Sequence, residues 1–405
     1  MSHLRDRLRS ATHEEHLRLH DAPLFKAITD GSVPITAYAA WVRSMTVIVG
    51  GLEQELERST DERVRSLWEP LPQRLPLLRT DTRALDAVES QPSDAPLHLL
   101  ELVQTLRTWG RNGDLALVGA LYVMQGSALG GQVLTGPLSE RFGESVVSYV
   151  SGAGAETVAD WESFCEQLDR IDFGAEEARV VVGAQTVFTA LRRIATRLHP
   201  CGDDGHAVSQ AINFDAGTHD VTTDPRELVA AVDAGVMTWN VYPYYEARYG
   251  GRGRRFTRSD SAWLVTLAYA QPDVARRQLE WLVGLLAARG MPSLLFEEHL
   301  FHLREALVEA VPERAEIYGH LARLGEELRT GRLEAVPDFD ALAAAFAHTE
   351  PIPNVGPILV AAVADERQGY QNAVQSVSAW LTASDRFDAA WIESVAATIE
   401  SARGS

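Results

Sequence analysis

Residues 34–52, PITAYAAWVRSMTVIVGGL, decide the fold class because their large apolar side chains recur at spacings of three and four. This spacing places them on one face of an α-helix, and Pro34 stands where the first helical residue is expected. Residues 180–194 repeat the periodicity. No sustained alternation of β-branched residues indicates a sheet. We therefore predict an all-α protein.

The composition is that of an ordinary globular protein: 405 residues, 46% hydrophobic and 23% charged. The length predicts two or three domains. Fifty-six acidic residues against 37 basic ones give a formal net charge of −19. Because that charge repels phosphate backbones and anionic lipid, we expect neither a nucleic-acid nor a membrane partner.

Cysteine usage and the first residues indicate the compartment. Cys165 and Cys201 match no metal-binding spacing and provide no disulfide framework, which favours a reducing environment. The first residues do not resemble a signal peptide. The most apolar run, residues 115–124, is shorter than the roughly 18 residues that a membrane span needs. We expect a cytoplasmic protein.

A polar, turn-forming run at residues 200–205, PCGDDG, interrupts the helical pattern and predicts a domain boundary. We therefore divide the chain into a domain at 1–200, a linker at 201–224 and a second all-helical domain at 225–405. A proline-rich hinge at 351–357 precedes two predicted final helices.

The second domain is predicted to begin with a capped helix, in which Asp224 is the N-cap and Glu227 completes a capping box. Further apolar periodicity predicts the helices 225–248, 259–289, 292–310, 312–330 and 338–348.

Three histidines lie on the first predicted helix: His13, His16 and His20. Their spacings of three and four let neighbouring imidazoles meet. His16 lies at the edge of the apolar stripe, where a ligand to something in a pocket would stand. From this segment alone, surface histidines and a ligand site both stay open.

Residues 122–134, YVMQGSALGGQVL, place three glycines within an apolar helical stretch. Each costs roughly 1 kcal/mol of helix stability relative to alanine. Either the helix packs closely on another helix through these small residues, or its backbone approaches something else. Taken alone, the segment leaves both interpretations open.

Three segments together resemble the heme oxygenases. LRSATHEEH at residues 8–16 resembles the family's opening helix, GSALGGQ at 126–132 resembles its glycine-rich distal helix, and QTVF at 185–188 resembles the late helix that closes the heme pocket. The segments occur in the family's order. The resemblance covers residues 1–200 and is strongest to the bacterial, biliverdin-producing branch that is often linked to phytochromes. It implies an N-terminal heme-oxygenase-like helical bundle.

The resemblance implies roles for individual residues on the proximal side. His16 falls on the proximal iron ligand, which makes it the metal-binding residue. Arg9 falls where the family places a basic residue near a heme propionate, and Phe188 falls on an aromatic of the pocket wall. The family gives no role to His13 and His20.

On the distal side, Gly126 and Gly130 fall on the glycines that lie over the heme face in the family. Ser127 stands where the mammalian branch has an aspartate that orders distal waters. A hydroxyl can hold water but carries no charge, so the resemblance does not define the proton relay at this position. The resemblance thus implies catalytic positions at Gly126, Ser127 and Gly130.

The implied activity is that of a monooxygenase, an oxidoreductase for which heme is both cofactor and substrate. It uses O2 and yields biliverdin, carbon monoxide and ferrous iron. Electrons must come from an external donor, such as a ferredoxin or a flavoprotein reductase, because the sequence has no nucleotide-binding glycine loop. The bacterial branch also implies a bilin acceptor such as a phytochrome.

Residues 225–405 resemble no family, but two of their features stand out. Five arginines between 248 and 258 follow clustered aromatics, which fits either a solvated arginine loop or a site for an anionic planar ligand such as a bilin. Glu297, Glu298, His299 and His302 share one helix and could ligate a metal, although surface positions are the expectation.

Two other functions compete with heme degradation. One is a heme-oxygenase-like non-heme metal oxidase, and the other is a non-catalytic heme or bilin carrier. The joint presence of His16, the distal glycines and Arg9 favours heme over a bare metal ion.

Overall fold

The computed structural model describes residues 3–89, 95–152, 156–199, 212–213, 221–346, 348 and 350–405. Within these ranges every regular element is helical and no strand occurs, which confirms the all-α prediction. The chain forms two units, Met1–Ala211 with Thr223–Arg226, and Ile212–Thr222 with Glu227–Ser405. The predicted boundary at 200–205 and most of the predicted linker lie outside the described residues, so our division at 200 and 225 stays a prediction.

The first unit is built from helices that differ widely in length. Its described α-helices are α1 (Leu4–His20), α2 (Pro23–Thr29), α3 (Ile35–Glu57), α4 (Glu62–Trp68), α5 (Leu75–Ala84), α6 (Ala95–Asn112), α7 (Ala116–Phe142), α8 (Ser148–Ser151), α9 (Glu156–Arg170) and α10 (Glu177–Leu198). α10 packs against α1, α6 and α7, and α3 packs against α5, α6 and α7.

α3 buries most of the apolar face that its periodicity predicts. Only Ile35, in its first turn, is exposed. The helix begins one residue later than expected, because Pro34 is its N-cap and the Pro34 carbonyl accepts the Tyr38 N–H at 3.1 Å. The buried members of the face are Tyr38, Val42, Met45, Val49 and Leu52.

α3 and α7 are each long and apolar enough to cross a membrane by length and composition. In this fold, 67% of the apolar window of α3 and 61% of that of α7 are buried inside the protein. Core helices of globular proteins pass the same test, so the two helices are only a weak indication of a membrane span.

The crossing of α7 and α10 depends on two glycines. A Cβ atom at Gly119 would overlap the backbone of Val180 and Ala184, and one at Gly183 would overlap the backbone of Ala116. The two helix backbones therefore touch directly, as they do where small residues permit close approach. This contact fixes the start of α7 against α10.

Nine further α-helices begin at or after Pro225 in the described chain. They are α11 (Pro225–Val241), α12 (Pro243–Leu267), α13 (Pro272–Ala287), α14 (Leu294–Ala310), α15 (Ala315–Ala335), α16 (Phe339–Ala345), α17 (Val355–Arg367), α18 (Ala373–Leu381) and α19 (Ala389–Gly404).

Several predicted boundaries in this half are wrong. Proline at 243 and at 272 begins a new helix, which divides the predicted segments 225–248 and 259–289. The proposed arginine loop at 248–258 is helical and belongs to α12, which bends at Gly250, where φ is 51°. α17 begins at Val355, inside the predicted hinge at 351–357, and α18 and α19 follow it.

Asp224 caps α11, as the sequence predicts: it is the residue immediately before the helix, and its carboxylate accepts the Arg226 N–H at 3.0 Å. The buried carboxylate of Glu227 accepts from the Tyr318 hydroxyl at 2.6 Å, from Arg314 at 3.0 Å and from the Thr222 hydroxyl. A buried carboxylate needs such partners, and two of these come from residues far along the chain. The predicted capping box stays a prediction.

Glu297 and His299 are buried, so the expected surface positions are wrong for both. Glu297 accepts from Arg329 at 2.7 Å and from Arg332 at 2.8 Å. The two ring nitrogens of His299 lie 3.0 Å from Thr238 Oγ1 and 2.9 Å from Ser261 Oγ. These side chains are engaged with arginines and hydroxyls, and no metal-binding group of three or more His, Cys, Asp or Glu occurs among the described residues.

We predict that Gly119→Ala destabilises the first unit by about 1–3 kcal/mol, because the added methyl forces two packed backbones apart. The matched control is Gly130→Ala on the same helix, where a Cβ meets nothing within 4 Å. Calorimetric unfolding of the full chain measures both. Equal stability of the two variants would contradict the assigned crossing.

We also predict that His299 makes the second unit acid-sensitive. Burial, followed by the neighbouring His302, lowers the pKa of His299 to about 4. Between pH about 6.5, the pKa of His299 in the unfolded chain, and pH about 4, its pKa in the folded chain, only the unfolded chain binds the proton. The free energy of unfolding therefore decreases as the pH is lowered through this range, by up to roughly 3 kcal/mol.

The measurement is the difference in unfolding free energy between the wild type and His299→Gln from pH 7 to pH 4. Burial raises the pKa of Asp260 and of Asp365 to about 7, so these carboxyls change stability in the opposite direction over the same range. Because both proteins contain Asp260 and Asp365, subtracting one unfolding free energy from the other removes the contribution of these two carboxyls. A difference that does not change with pH would contradict the assignment.

Candidate functional site

A cavity of about 730 Å³ lies in the first unit, within the usual size range of ligand pockets. Its walls come mainly from α1, α3, α7 and α10. The structure brings all six sequence-predicted site residues to this one cavity, although they are spread over residues 9–188. They are Arg9, His16, Gly126, Ser127, Gly130 and Phe188.

α1 presents all three of its histidines to the cavity. The ring of His16 meets the edge of the His20 ring at a centroid distance of 4.6 Å and that of Phe188 at 5.7 Å. Packing against Phe188, on α10, distinguishes His16 from its neighbours in sequence. α1 is tied to α10 by the Gln185 amide, which donates to the Ala11 carbonyl at 3.0 Å, and by Arg192, which donates to Glu15 at 3.0 Å.

The surroundings of His16 disfavour protonation of its imidazole. Partial burial lowers its pKa below the usual value, and the charges of His20 and His13 lower it further. An imidazole binds iron through a neutral ring nitrogen, so the effect favours ligation at neutral pH. A proton and an iron atom compete for the same lone pair on the ring nitrogen.

The glycines of α7 divide into two groups. A Cβ at Gly131 would press on the backbone of Val150, at 3.0 Å from its carbonyl oxygen, so that glycine serves packing, as Gly119 does. A Cβ at Gly130 would meet nothing within 4 Å, and one at Gly126 would make ordinary contact with Trp161 at 3.4 Å. Packing within the protein therefore does not require glycine at 130, and the open space belongs to the cavity.

Ser127 lines the α7 wall of the cavity, and its hydroxyl already donates a hydrogen bond within the protein. The hydroxyl donates to the Met124 carbonyl at 2.7 Å. The same carbonyl accepts from Arg74 at 3.0 Å. Ser127 Oγ thus keeps lone pairs with which it can accept a hydrogen bond from a water molecule in the cavity.

Tyr149 and Arg74 line the cavity, and no signal in the sequence singled them out. Arg74 donates to the Tyr149 carbonyl at 3.1 Å and lies 4.3 Å above the Tyr149 ring. The buried carboxylate of Asp81 accepts the Tyr149 N–H at 2.8 Å. Asp81 belongs to α5 and Arg74 is the residue just before it, in a segment that shows no sequence resemblance to a functional one.

The Tyr149 hydroxyl is buried and has no hydrogen-bond partner in the part of the chain that the structure describes. Leaving a buried hydroxyl without a partner costs about 1–3 kcal/mol. Because the tyrosine lines the cavity, a ligand or an ordered water there would supply the missing partner.

Arg9 is exposed at the cavity and forms no ion pair with any residue in the described ranges. It stands two helical turns before His16 on α1. A guanidinium in that position is available to an anionic group of a ligand that also reaches His16.

Comparison with known proteins gives matches to the first half of the chain. Residues 2–197 match the family model described as heme oxygenase. A heme oxygenase of Xanthomonas campestris is 29% identical over 167 residues, which cover 41% of this chain and 92% of that protein.

Solved structures also match. Heme oxygenase from Leptospira interrogans is 20% identical, with a TM-score of 0.44, over 48% of this chain and 100% of that one. Heme oxygenase-1 from the cyanobacterium Synechocystis, solved in complex with heme, is 18% identical, with a TM-score of 0.43, over 49% of this chain and 93% of that one. No family match extends into the second half. By the family model, residues 2–197 are a region of the heme oxygenase family.

Proposed function

We propose that this chain is a heme-degrading monooxygenase that binds heme through His16 and cleaves it with O2 and external electrons to biliverdin, carbon monoxide and ferrous iron. One observation carries the proposal. A single cavity brings the imidazole of His16, whose pKa burial lowers, together with a wall of α7 that has no side chain at Gly130.

The cavity fits a heme in five respects. The volume of about 730 Å³ suits a large planar ligand. His16 offers a ring nitrogen whose protonation is disfavoured by a lowered pKa, and the open space at Gly130 leaves room for a ligand face. Arg9 can pair with a carboxylate, and the Tyr149 hydroxyl lacks a partner among the described residues.

When bound, heme supplies the iron that activates O2 and the porphyrin that is oxidised. The protein supplies position and access. His16 would hold the iron, and the edge of Phe188 would keep the imidazole in orientation. Gly126 and Gly130 would leave the opposite helix backbone accessible to O2 and water. The Ser127 hydroxyl donates its hydrogen bond to the Met124 carbonyl, so Ser127 Oγ would accept a hydrogen bond from that water.

The proposal includes partners and a compartment. The electron donor would be a ferredoxin or a flavoprotein reductase, and the bilin product would pass to an acceptor such as a phytochrome. The proposed compartment is the cytoplasm. Support for these points comes from the family resemblance and from the acidic net charge of −19, which disfavours anionic lipid and nucleic acid.

We predict that His16→Ala abolishes heme degradation without unfolding the protein, because one side chain supplies the axial bond. The assay follows hemin-loaded full-length protein with a ferredoxin system or ascorbate under oxygen. Wild type should lose its Soret band while red absorbance grows, and the variant should not.

His13→Ala and His20→Ala are the matched controls from the same helix, and each should retain turnover. Loss of turnover in either of them, with turnover retained in His16→Ala, would refute the ligand assignment. A stable Soret band in the wild type would indicate a carrier. Failure of hemin to bind at all would favour a non-heme metal protein.

We predict that Gly130→Phe blocks turnover and leaves folding intact, because its benzyl group would enter the open part of the cavity and not the protein core. Gly136→Phe is the control, since a Cβ there also meets nothing within 4 Å and the residue does not line the cavity. Biliverdin formation at the wild-type rate in Gly130→Phe would show that the open face has no part in the reaction.

A further inference from the structure

Ser127 alone cannot donate a hydrogen bond into the cavity. Its hydroxyl proton is directed to the Met124 carbonyl at 2.7 Å, so only its lone pairs remain available. Between Gly126 and Gly130, α7 has no other polar side chain. A group in this part of the cavity that requires a donated hydrogen bond must obtain it from another element of the protein or from water.

The Tyr149 hydroxyl is a donor of this kind. The residue is 7% exposed, and its hydroxyl has no hydrogen-bond partner among the described residues. Tyr149 lines the same cavity as Ser127. Native proteins rarely leave a buried hydroxyl unsatisfied, and an ordered water or a ligand usually completes the exceptions. The tyrosine therefore has one hydrogen bond left to donate at the cavity.

A single guanidinium connects Tyr149 to the part of α7 that carries Ser127. Arg74 donates from one nitrogen to the Met124 carbonyl at 3.0 Å and from the other to the Tyr149 carbonyl at 3.1 Å. The Met124 carbonyl is also the acceptor of the Ser127 hydroxyl. Ser127 and Tyr149 are thus each within two hydrogen bonds of Arg74.

Several contacts hold Tyr149 in this position. Its backbone N–H donates to the buried carboxylate of Asp81 at 2.8 Å. The Arg74 guanidinium lies 4.3 Å from the centroid of its ring. The next residue, Val150, packs so closely on α7 that a Cβ at Gly131 would stand 3.0 Å from its carbonyl oxygen. Backbone and ring are therefore both fixed, as a residue that orients another group requires.

The hydrogen-bonding capacities of the two hydroxyls define the orientation of water between them. Tyr149 has a proton to donate, and Ser127 has only lone pairs left. Water that connects them accepts from Tyr149 and donates to Ser127. A water molecule has two protons, so each water in such a connection keeps one O–H with which it can donate to a ligand. The direction is the same for one water and for a short chain.

We propose that Tyr149 is a positioning residue: together with Ser127 it orients ordered water so that the water donates a hydrogen bond into the cavity on the α7 side. The water site itself depends only on the two hydroxyls. Its role toward a bound group rests on the proposed function, because that role requires heme in this cavity.

High-resolution crystal structures of the heme-free protein test the water site. In the wild type we expect ordered water within hydrogen-bond distance of the Tyr149 hydroxyl, connected to Ser127 Oγ directly or through a second water. In Tyr149→Phe this water should be lost or displaced. A Tyr149 hydroxyl without water, or water that does not lead to Ser127, would overturn the proposal. Since no heme is present, the result does not depend on the proposed function.

Fluoride binding by the hemin-loaded, full-length protein tests the role toward a bound group, because fluoride on ferric heme accepts hydrogen bonds from nearby donors. We expect Tyr149→Phe to weaken fluoride binding about tenfold, as the loss of one hydrogen bond to an anion does. Carbon monoxide accepts hydrogen bonds poorly, so its affinity for the ferrous protein should change less than about twofold. An unchanged fluoride affinity, or equal losses for both ligands, would overturn the role.

A hemin titration, followed at the Soret band, precedes the addition of fluoride. Failure of hemin to bind there would contradict the proposed function, and the heme-free crystal structures would then decide the water site alone. The two failures are therefore distinguishable. Circular dichroism checks that each variant is folded.

Tyr122→Phe is the matched control. Tyr122 is also buried and lines the same cavity, but its ring lies 5.3 Å from that of Trp161, and Cys165 and Arg9 are the charged or ionisable groups that act on it. Its fluoride affinity should stay within about twofold of the wild type. An equal loss in this control would indicate a general effect of cavity polarity and would overturn the assignment to Tyr149.

A double variant tests whether Tyr149 and Ser127 share the water. Ser127→Ala should also weaken fluoride binding, because the water loses its acceptor. If both hydroxyls hold the same water, the combination of Ser127→Ala with Tyr149→Phe should lose little more affinity than the weaker-binding single variant. Losses that multiply would mean two independent effects and would overturn the shared water.

Discussion

The direct backbone contact between α7 and α10 is the constraint on which the first unit depends. Gly119 and Gly183 let the two helices touch where α7 begins, and a side chain at either position would overlap the partner backbone. α10 also packs against α1, so it holds both walls of the cavity. The position of His16 relative to the glycines of α7 follows from this shared support.

One helix uses the same residue type for opposite purposes. Glycine at 119 and 131 permits close packing, and glycine at 130 keeps space empty. In each place helix stability is lost, by roughly 1 kcal/mol per residue relative to alanine. Close packing compensates for the loss at the first two positions. At Gly130 no contact within the described protein compensates, which is the pattern expected where a functional requirement determines the residue.

Local patterns sufficed for the helical class and for the buried face of α3, because helical periodicity is a property of neighbouring residues. The six site residues were predicted from family resemblance, and the structure gathers them around one cavity. Tyr149 was missed because its setting depends on Asp81 of α5 and on Arg74 just before that helix, both distant in sequence. Glu297 was misplaced at the surface for a similar reason, since Arg329 and Arg332 lie 32 and 35 residues further along the chain, on the next helix.

A crystal structure of the full-length protein loaded with hemin tests the central claim most directly. Our account predicts iron bound to a ring nitrogen of His16, a porphyrin face against the α7 backbone at Gly130, and a propionate near Arg9. Hemin bound through His13 or His20, a porphyrin that does not contact Gly130, or hemin located outside this cavity would contradict it.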